Sequence, residues 1–285
     1  MTTQTESYIK HHPDDWSFTS KHHHHVERTV QPVIKELVKW VTQTVPPNPS
    51  SVVLDGACGL GTVTAEVKKA FPNLHVLAID SSTGMIEAIN RHANSRAWQN
   101  VETKVLDGGD LTAIPSTSIT HALACTVIDL AHSATAFIHS LSRVLAPDGI
   151  LGITTWADPT HPSISTPWTK ACQRLYPSFK PPLVTNPKWT TPELIKENLT
   201  KAGFKDVQTK QVYAHWRWSS AEEMMEWFFE GGNPVCKRWH EALEEVGGRL
   251  GDVRERFREE VEREYRSEGG MLGKEELVNL TIARK

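Results

Sequence analysis

Short apolar runs alternate with helix-like patterns along the first half of the chain. The runs predict five strands, at 51–55, 75–80, 101–106, 119–127 and 150–155. Between them, apolar residues recur every three or four positions and predict helices at 62–71, 83–93 and 133–145. Strands that alternate with helices favour a parallel sheet with helices on both faces, so the pattern predicts an α/β fold.

The segments that follow this alternation or precede it carry other patterns. A helix is predicted over 26–41, where Pro32 should start or kink it. The segment 157–190 is rich in proline and has few periodic positions, which predicts a loop-rich insertion. Thr191 then caps a helix that ends at Gly203. A sixth strand is expected after it, at 207–218, with a bulge near Gln211.

The last quarter of the chain is mainly helical in pattern. Ser219 and Glu222 fit a capping box ahead of a first helix. Apolar residues recur at helical spacing over 239–261, where interrupting glycines leave open whether one helix forms or two. At the end of the chain, 277–284 alternates apolar and polar residues and predicts a strand compatible with a sheet edge.

Composition and charge limit the number of domains and the kinds of partner that the protein can have. A chain of 285 residues with 39% apolar residues suits one α/β domain with added segments. Its net charge of −3 excludes a general attraction to nucleic acid or to anionic membranes. The four cysteines are scattered, the N-terminus is polar, and no apolar run approaches the length of a membrane span. We therefore expect a cytoplasmic protein.

A glycine loop follows the first predicted strand. In the stretch DGACGLG at 55–61 the glycines have the order GxxGxG, not the GxGxxG of dinucleotide sites. Glycines let the backbone pass close to a ligand, and the carboxylate of Asp55 can balance cationic groups on that ligand. The alternatives are an ordinary strand-to-helix turn or, against the glycine order, a nicotinamide cofactor site.

Two further acidic residues end the next two predicted strands. Asp80 follows the second strand, where a carboxylate can accept both hydroxyls of a ribose, or can merely cap the next helix. Asp107 follows the third strand and precedes Gly108. It suits an adenine amino group with a neighbouring backbone N–H on a ring nitrogen, or it belongs to a simple turn.

These motifs resemble those of class I S-adenosylmethionine (SAM)-dependent methyltransferases. VLDGACGLG resembles their first motif, with Ala57 in place of a usual glycine, and HVLAIDSS, KVLDGGDL and SRVLAPDGILGITTW resemble later ones. The resemblance implies a Rossmann-like, seven-stranded, mostly parallel sheet with an antiparallel last strand and a helical cap between strands six and seven. It also implies SAM as methyl donor and S-adenosylhomocysteine (SAH) as product. The stretches LDGACGLG and TTW are similar to those of fungal secondary-metabolite methyltransferases, including the gliotoxin-type thiol methyltransferases.

The resemblance also suggests how the chain is divided. The parts are a lid segment and helix (1–45), the SAM-binding core (46–156), a loop-rich cap insertion (157–190), a core helix and strand (191–218), a helical cap (219–270) and the last core strand (271–285). The residues expected at the donor are Asp55, Gly56, Ala57, Cys58, Gly59, Gly61, Asp80, Ser81, Met85, Asp107, Gly108, Cys125 and Thr126.

The acceptor is expected beyond the fourth strand, because ligands of open α/β sheets bind outside the carboxyl ends of the strands. His132 and Asp129 are the candidates for a general base there, and the alternative is that both are solvated. The residues expected to bind the acceptor are Trp16, Phe18, His25, Trp156, Trp227 and Phe228, unless they only pack the cap onto the sheet. No metal is expected at the histidine run 22–25, because adjacent side chains point in different directions.

Several functional hypotheses fit this sequence. The first is methyl transfer to a small, hydrophobic acceptor at sulfur, oxygen or nitrogen. The strand-four end lacks the Asn-Pro-Pro-Tyr type of tetrapeptide, which counts against DNA and protein-glutamine acceptors. The others are a SAM-binding regulator or scaffold without transfer, and a SAM-bound enzyme of other chemistry, such as cyclisation. We expect no nucleic-acid or membrane partner, and a monomer or weak homodimer.

Overall fold

The computed structural model describes residues 15–16, 23–268 and 271–285. Phe18 and His22 lie outside the described residues, and the side chains of His23 and His24 are likewise outside them. In the described part of the chain, no helix is long and apolar enough to cross a membrane.

One twisted sheet organises the chain. Its strands are β1 (Val52–Gly56), β2 (His75–Asp80), β3 (Val101–Val105), β4 (Ile119–Cys125), β5 (Leu145–Trp156), β6 (Lys205–Trp218), β7 (Arg266–Glu268) and β8 (Met271–Arg284). Seven of them lie in the order β3-β2-β1-β4-β5-β8-β6, and the short β7 pairs with β8. The first five strands along this path pair in parallel, and β8 is antiparallel to both its neighbours. The predicted α/β sheet with an antiparallel last strand is confirmed.

The topology places a crevice above β1. The chain moves outward from β1 through β2 to β3, then returns to pair β4 on the other side of β1. Neighbouring connections therefore leave β1 and β4 in opposite directions, which opens a gap at their carboxyl ends. The strand β1 is buried over nearly all its length, as expected for a parallel strand covered on both faces.

Helices cover both faces of the sheet. They are α1 (His23–Thr44), α2 (Thr62–Ala70), α3 (Thr83–Ser95), α4 (Ala134–Val144), α5 (Pro162–Gln173), α6 (Pro192–Lys201), α7 (Ala221–Glu230), α8 (Pro234–Glu244) and α9 (Leu250–Glu264). One apolar cluster joins α1, α2 and α5 to the cap helices α7, α8 and α9, and a second joins α4 and α6 to the opposite face. The cap helices come between β6 and β8 in the chain, as the sequence predicts.

The structure corrects the prediction of a loop-rich insertion, because α5 forms within it. Pro162 stands in the first turn, where its missing N–H costs nothing. Ile164, Trp168 and Cys172 are buried at helical spacing and dock α5 onto the cap. The helical spacing of these apolar residues is present in the sequence, but the many prolines of the segment favoured the prediction of a loop.

Other predicted details shift by a few residues or change place. The helix α1 begins nine residues before Pro32 and continues through it. The irregularity in β6 lies between Lys205 and Gln208, not near Gln211. The helix cap is Ser220, whose hydroxyl accepts from the Glu223 N–H, one residue after the predicted box.

Two further points concern the end of the chain. Over 239–261, two helices form, because α8 ends at Glu244 and α9 begins at Leu250.

The last strand is not at the sheet edge: β8 lies between β5 and β6 and pairs with both along most of its length. Its buried residues alternate less than the sequence suggested, since Asn279 to Ala283 are all buried.

Candidate active site

A cavity of about 710 Å³ opens at the carboxyl ends of the parallel strands. Most of the residues expected at the donor line it: Asp55, Ala57, Cys58, Gly59, Asp80, Ser81, Met85, Asp107, Gly108, Cys125 and Thr126. All but Met85, which belongs to α3, follow or end one of four neighbouring strands, which explains why residues far apart in sequence share one wall.

The glycine loop is tied to the end of β2. The Cys58 N–H donates to the Ile79 carbonyl over 2.8 Å. The Gly59 N–H donates to Asp80 Oδ2 over 2.9 Å. Ala57 has a φ of 57°, so the loop adopts left-handed backbone at a position that the related motif usually gives to glycine. The loop and the acidic end of β2 therefore form one wall of the cavity.

Asp55 is buried beneath the loop. Its Oδ2 accepts from the Thr64 N–H over 3.0 Å and from the Thr64 hydroxyl over 2.6 Å. Burial raises the pKa of Asp55 to about 6, against the lowering effect of these hydrogen bonds. Asp55 thus joins the end of β1 to the first turn of α2 and also faces the cavity.

Gly56 and Gly61 do not line the cavity, although both were expected at the donor. Gly56 lies against the Phe137 ring, where an added Cβ would approach to 3.4 Å. Gly61 has a φ of +85° and lies against Ile89. These glycines shape the loop and pack it onto its surroundings, and the cavity wall itself is formed by their neighbours.

Replacing Gly61 by alanine should destabilise the protein by about 2–4 kcal/mol, from left-handed strain and crowding together. The new Cβ would lie 2.7 Å from the Ile89 side chain. Gly203→Ala is the matched control, since Gly203 has a φ of +89° and open space around it, and should lose only about 1–2 kcal/mol. Urea unfolding of both variants measures the difference. Equal losses would show that crowding at Ile89 plays no part.

Asp80 and Asp107 stand at successive strand ends along the cavity. Asp80 is half-buried, and its Oδ1 accepts from the Ser82 N–H over 2.9 Å. Burial raises the pKa of Asp80, while its backbone hydrogen bonds oppose that rise. Asp107 is exposed, and its Oδ1 accepts from the Gly109 N–H over 2.8 Å. Both carboxylates keep acceptor capacity beyond these bonds.

The opposite end of the cavity is walled by tryptophans. Those that line it are Trp16, Trp156, Trp216, Trp227 and Trp239. The rings of Trp156 and Trp216 stack with centroids 6.2 Å apart, and Trp227 lies 5.6 Å from Trp216. Four of the five are almost fully buried, so this tryptophan wall is rigid and apolar. These five residues are the tryptophan wall.

A family model described as a methyltransferase domain matches residues 53–149. The match runs from β1 into β5 and so includes the glycine loop, Asp80, Asp107 and the end of β4. Together with the sheet order and the motifs, this match supports a class I SAM-dependent methyltransferase. SAM is therefore its methyl donor.

Comparison with individual proteins agrees with this family. Methyltransferase ucsB of Acremonium sp is 26% identical over 215 residues, which are 70% of this chain and 72% of that protein. Two solved structures share the fold. The [4+2]-cyclase SpnF has a TM-score of 0.55 and 18% identity, covering 88% of this chain and 80% of that one. Phosphoethanolamine N-methyltransferase 2 of Haemonchus contortus was solved with phosphomonomethylethanolamine and SAH. It has a TM-score of 0.53 and 16% sequence identity, and the match covers 88% of this chain and 52% of that one.

Only one of the two predicted general bases of this methyltransferase lines the cavity. His132 is exposed and lines it. Asp129 is buried and does not, because its Oδ2 accepts from the Trp156 N–H over 2.9 Å and so holds the end of β5. Burial raises the pKa of Asp129 to about 6. The expectation that Asp129 faces the acceptor is therefore corrected.

Two of the expected acceptor residues are also corrected. Phe228 is 1% exposed and packs against Trp168, Trp239 and Phe257, behind the cavity wall. His25 is buried against Trp218, with ring centroids 4.5 Å apart, and does not line the cavity. Trp16, Trp156 and Trp227 do line it. The adjacent residues Trp227 and Phe228 thus face different surroundings on one helix.

Sequence reasoning missed several residues of this methyltransferase's cavity. His161, Trp216, Asn233 and Trp239 line it. Trp216 lies within β6, where an alternating strand pattern indicates which residues share a face but not what that face covers. His161 and Asn233 stand at helix N-termini after irregular segments, and no motif marks them. Among the described residues, no cluster of three or more histidine, cysteine or acidic side chains is arranged to hold a metal ion.

Proposed function

We propose that this enzyme transfers the methyl group of SAM to a small, hydrophobic metabolite held against the tryptophan wall. The observation that carries the proposal is the continuity of one cavity from the glycine loop to that wall. Its volume of about 710 Å³ falls within the range of about 300–1,000 Å³ that is typical of small-molecule sites. Donor and acceptor would therefore meet inside one cavity.

The donor end fits the chemistry of SAM. In our proposal, Asp80 accepts from the ribose hydroxyls, and Asp107 with the Gly108 N–H takes the adenine. Cys125 and Thr126, at the end of β4, border the methionine part. The left-handed residues Ala57 and Gly59 let the loop backbone approach the ligand.

The acceptor end fits a flat, apolar molecule. Tryptophan faces provide a large area for stacking, and few polar groups interrupt the wall. The polar side chains that line this end are His132, His161 and Asn233, which would orient the acceptor. The sequence resemblance to fungal secondary-metabolite enzymes supports a secondary metabolite as acceptor.

The protein's part in the reaction is to position the acceptor against the methyl group and to exclude water. SAM, when bound, supplies an electrophilic methyl carbon that an acceptor atom attacks in line with the S–C bond. Holding the acceptor in that line supplies much of the rate enhancement, about 7–11 kcal/mol in favourable systems. The cavity is walled by α1, the cap and the strand ends, and an acceptor bound between them would displace water from around the reacting atoms.

Thermal unfolding in the presence of SAH or of NAD⁺ tests the donor assignment. SAH should raise the melting temperature, because a ligand at about 100 times its Kd stabilises the folded state by about 2.7 kcal/mol. NAD⁺ at the same concentration should leave it unchanged, since the loop has the GxxGxG order. A rise with NAD⁺ and none with SAH would contradict the proposal.

A further inference from the structure

A buried histidine–carboxylate pair stands at the wall of the cavity. His161 lines the cavity and is 5% exposed, and Glu276 on β8 is 3% exposed. The distance from His161 Nδ1 to Glu276 Oε1 is 3.0 Å. Ionisable groups are rarely buried this deeply unless they are paired, and such pairs are most often functional or structural necessities.

The carboxylate of Glu276 is held from two further sides. Its Oε2 accepts from the Trp216 indole N–H over 2.8 Å and from the hydroxyl of Ser163. Trp216 belongs to β6 and Ser163 to the first turn of α5, so two elements besides its own strand β8 fix the position of Glu276. Glu276 Oε1 in turn lies at an ion-pair distance from His161 Nδ1, where its negative charge raises the pKa of the imidazole.

One nitrogen of the His161 ring remains available. Nδ1 faces Glu276, while Nε2 is buried and has no hydrogen-bond partner in the part of the chain that the structure describes. A histidine that only joined α5 to β8 would gain from a partner on its second nitrogen, because an unsatisfied buried group costs about 1–3 kcal/mol. His161 lines the cavity, so a ligand there is the partner that would satisfy Nε2 once the ring or its neighbours move to admit it.

The backbone at His161 is also unusual. Its φ of 51° lies in the left-handed region, which is uncommon for residues other than glycine. The residue precedes α5, and its carbonyl accepts from the N–H groups of Ile164 and Ser165. Strained residues of this kind persist when the surroundings fix them, and they concentrate at functional sites.

We propose that His161, oriented by Glu276, is the general base that removes the proton from a hydroxyl group of the acceptor. This inference rests on the proposed function and names the acceptor class as a phenol or enol. The acceptor O–H donates to His161 Nε2 beside the tryptophan wall, and the aromatic part of the acceptor stacks on Trp156, whose ring lies 4.8 Å from that of His161.

The acceptor oxygen forms a bond to the methyl carbon, the C–S bond breaks, and its electron pair stays on sulfur. The hydroxyl proton passes to His161 Nε2, and Glu276 stabilises the imidazolium that forms. The proton then leaves to solvent, so the products are the methyl ether, SAH and one proton.

The charges around His161 suit a hydroxyl more than a thiol. Burial alone would lower its pKa, but Glu276, Asp129 and Asp158 together raise the pKa above its usual value. A stronger base is most useful for a phenol, whose pKa is about 10, whereas a thiol with a pKa near 8.5 ionises more readily without help.

The test compares His161→Gln with the wild type on matched probes. The probes are 2-naphthol and 2-naphthalenethiol, used beside a small-molecule extract of the source cells, with carbon-13 methyl SAM as donor. The carbon-13 shift of the product identifies the atom that receives the methyl group. We expect methyl on oxygen, and a kcat lower by about 10²- to 10⁴-fold in the variant, with SAH affinity unchanged.

The control is His240→Gln. His240 also has a buried Nε2 without a partner among the described residues, but it lies in the cap and does not line the cavity. Its substitution should leave kcat unchanged. The pair of variants therefore separates the loss of a base at the cavity from the loss of a buried histidine elsewhere.

Glu276→Gln tests the positioning role. The rate should rise with pH as His161 loses its proton, because only the neutral ring accepts one. Removing the negative charge lowers the pKa of His161, so the rising limb should move to lower pH, with a lower plateau. A pH titration of the His161 ring by NMR should show the same shift without any turnover. If neither the rising limb of the pH–rate profile nor the pKa of the His161 ring changes in Glu276→Gln, the positioning role is contradicted.

The outcomes separate this inference from the proposed function. If SAH binds and the wild type methylates oxygen at the same rate as His161→Gln, the inference fails and methyl transfer stands. If the methyl group arrives only on sulfur or nitrogen, the hydroxyl assignment is wrong. If no compound receives the methyl group, both proposals fail.

Discussion

Asp80→Ala should remove most of the affinity for SAH while the protein stays folded. Asp80 lines the cavity beside the glycine loop and keeps acceptor capacity for two ribose hydroxyls. A hydrogen bond to a charged group contributes about 1.5–3 kcal/mol, so the loss of two should weaken binding by roughly 10²- to 10⁴-fold. Isothermal titration with SAH measures the change.

The loss has a second cause in the loop itself. Asp80 Oδ2 accepts from the Gly59 N–H, and alanine would leave that N–H without its partner. Asp80→Asn keeps one carbonyl oxygen for Gly59 and should fall between the wild type and Asp80→Ala. Comparing the two variants separates the anchoring of the loop from the direct contacts with the ribose.

Asp110→Ala is the control for Asp80. Asp110 is exposed, lies outside the cavity lining, and accepts from the Thr112 N–H over 3.1 Å. It should bind SAH as the wild type does. An SAH affinity in Asp80→Ala equal to that of Asp110→Ala would rule out the ribose assignment.

Phe228→Ala should lower the free energy of unfolding by about 3–5 kcal/mol, as expected for a buried phenylalanine. Its ring lies 4.6 Å from that of Phe257 and 5.0 Å from that of Trp168, so its removal leaves a cavity in the centre of the cap. Phe228 does not line the active-site cavity. The KM for the acceptor should therefore be unchanged at temperatures where the variant is folded, as urea unfolding and kinetics will show.

Trp227→Leu is the matched variant on the same helix. Trp227 belongs to the tryptophan wall and contacts Trp216 and Trp218. Leucine keeps part of the buried apolar area, so we expect a smaller loss of stability than for Phe228→Ala, together with a higher KM for the acceptor. A higher KM in Phe228→Ala than in Trp227→Leu would show that the cavity wall is assigned to the wrong residues.

Much of the sheet could be predicted from the sequence, because its signals are local. The strand β2 occupies the predicted residues 75–80, and α2 and α3 begin where predicted. Each depends on a few adjacent residues: an apolar run, an acidic strand end, a cap. Where a local signal was ambiguous, the prediction failed, as for α5, whose prolines outweighed a helical spacing of buried residues.

The donor end of the cavity was predictable for a similar reason. Parallel strands bring their carboxyl ends to one edge, so residues that follow four of these strands were expected to meet. Most of them line the cavity. Gly56 and Gly61 do not, because a motif names the residues that shape a loop as well as those that face its ligand.

The acceptor end could not be predicted, because it depends on long-range pairing. His161 and Glu276 meet only because β8 inserts between β5 and β6 and α5 folds back over it. Trp216 reaches the cavity through the same antiparallel pairing, opposite Lys274 on β8. No local pattern in the sequence indicates which cap residue will pack against which strand, so Phe228 and Trp227 looked alike.

The mass of the product tests the central claim most directly. The enzyme, carbon-13 methyl SAM and a small-molecule extract of the source cells should yield SAH together with a metabolite that is heavier by one labelled methyl group. The contrary result would be a product of unchanged mass, as a cyclisation gives, or no product and no SAH although SAM binds. Either would mean that the cavity holds SAM without transferring its methyl group to a small molecule.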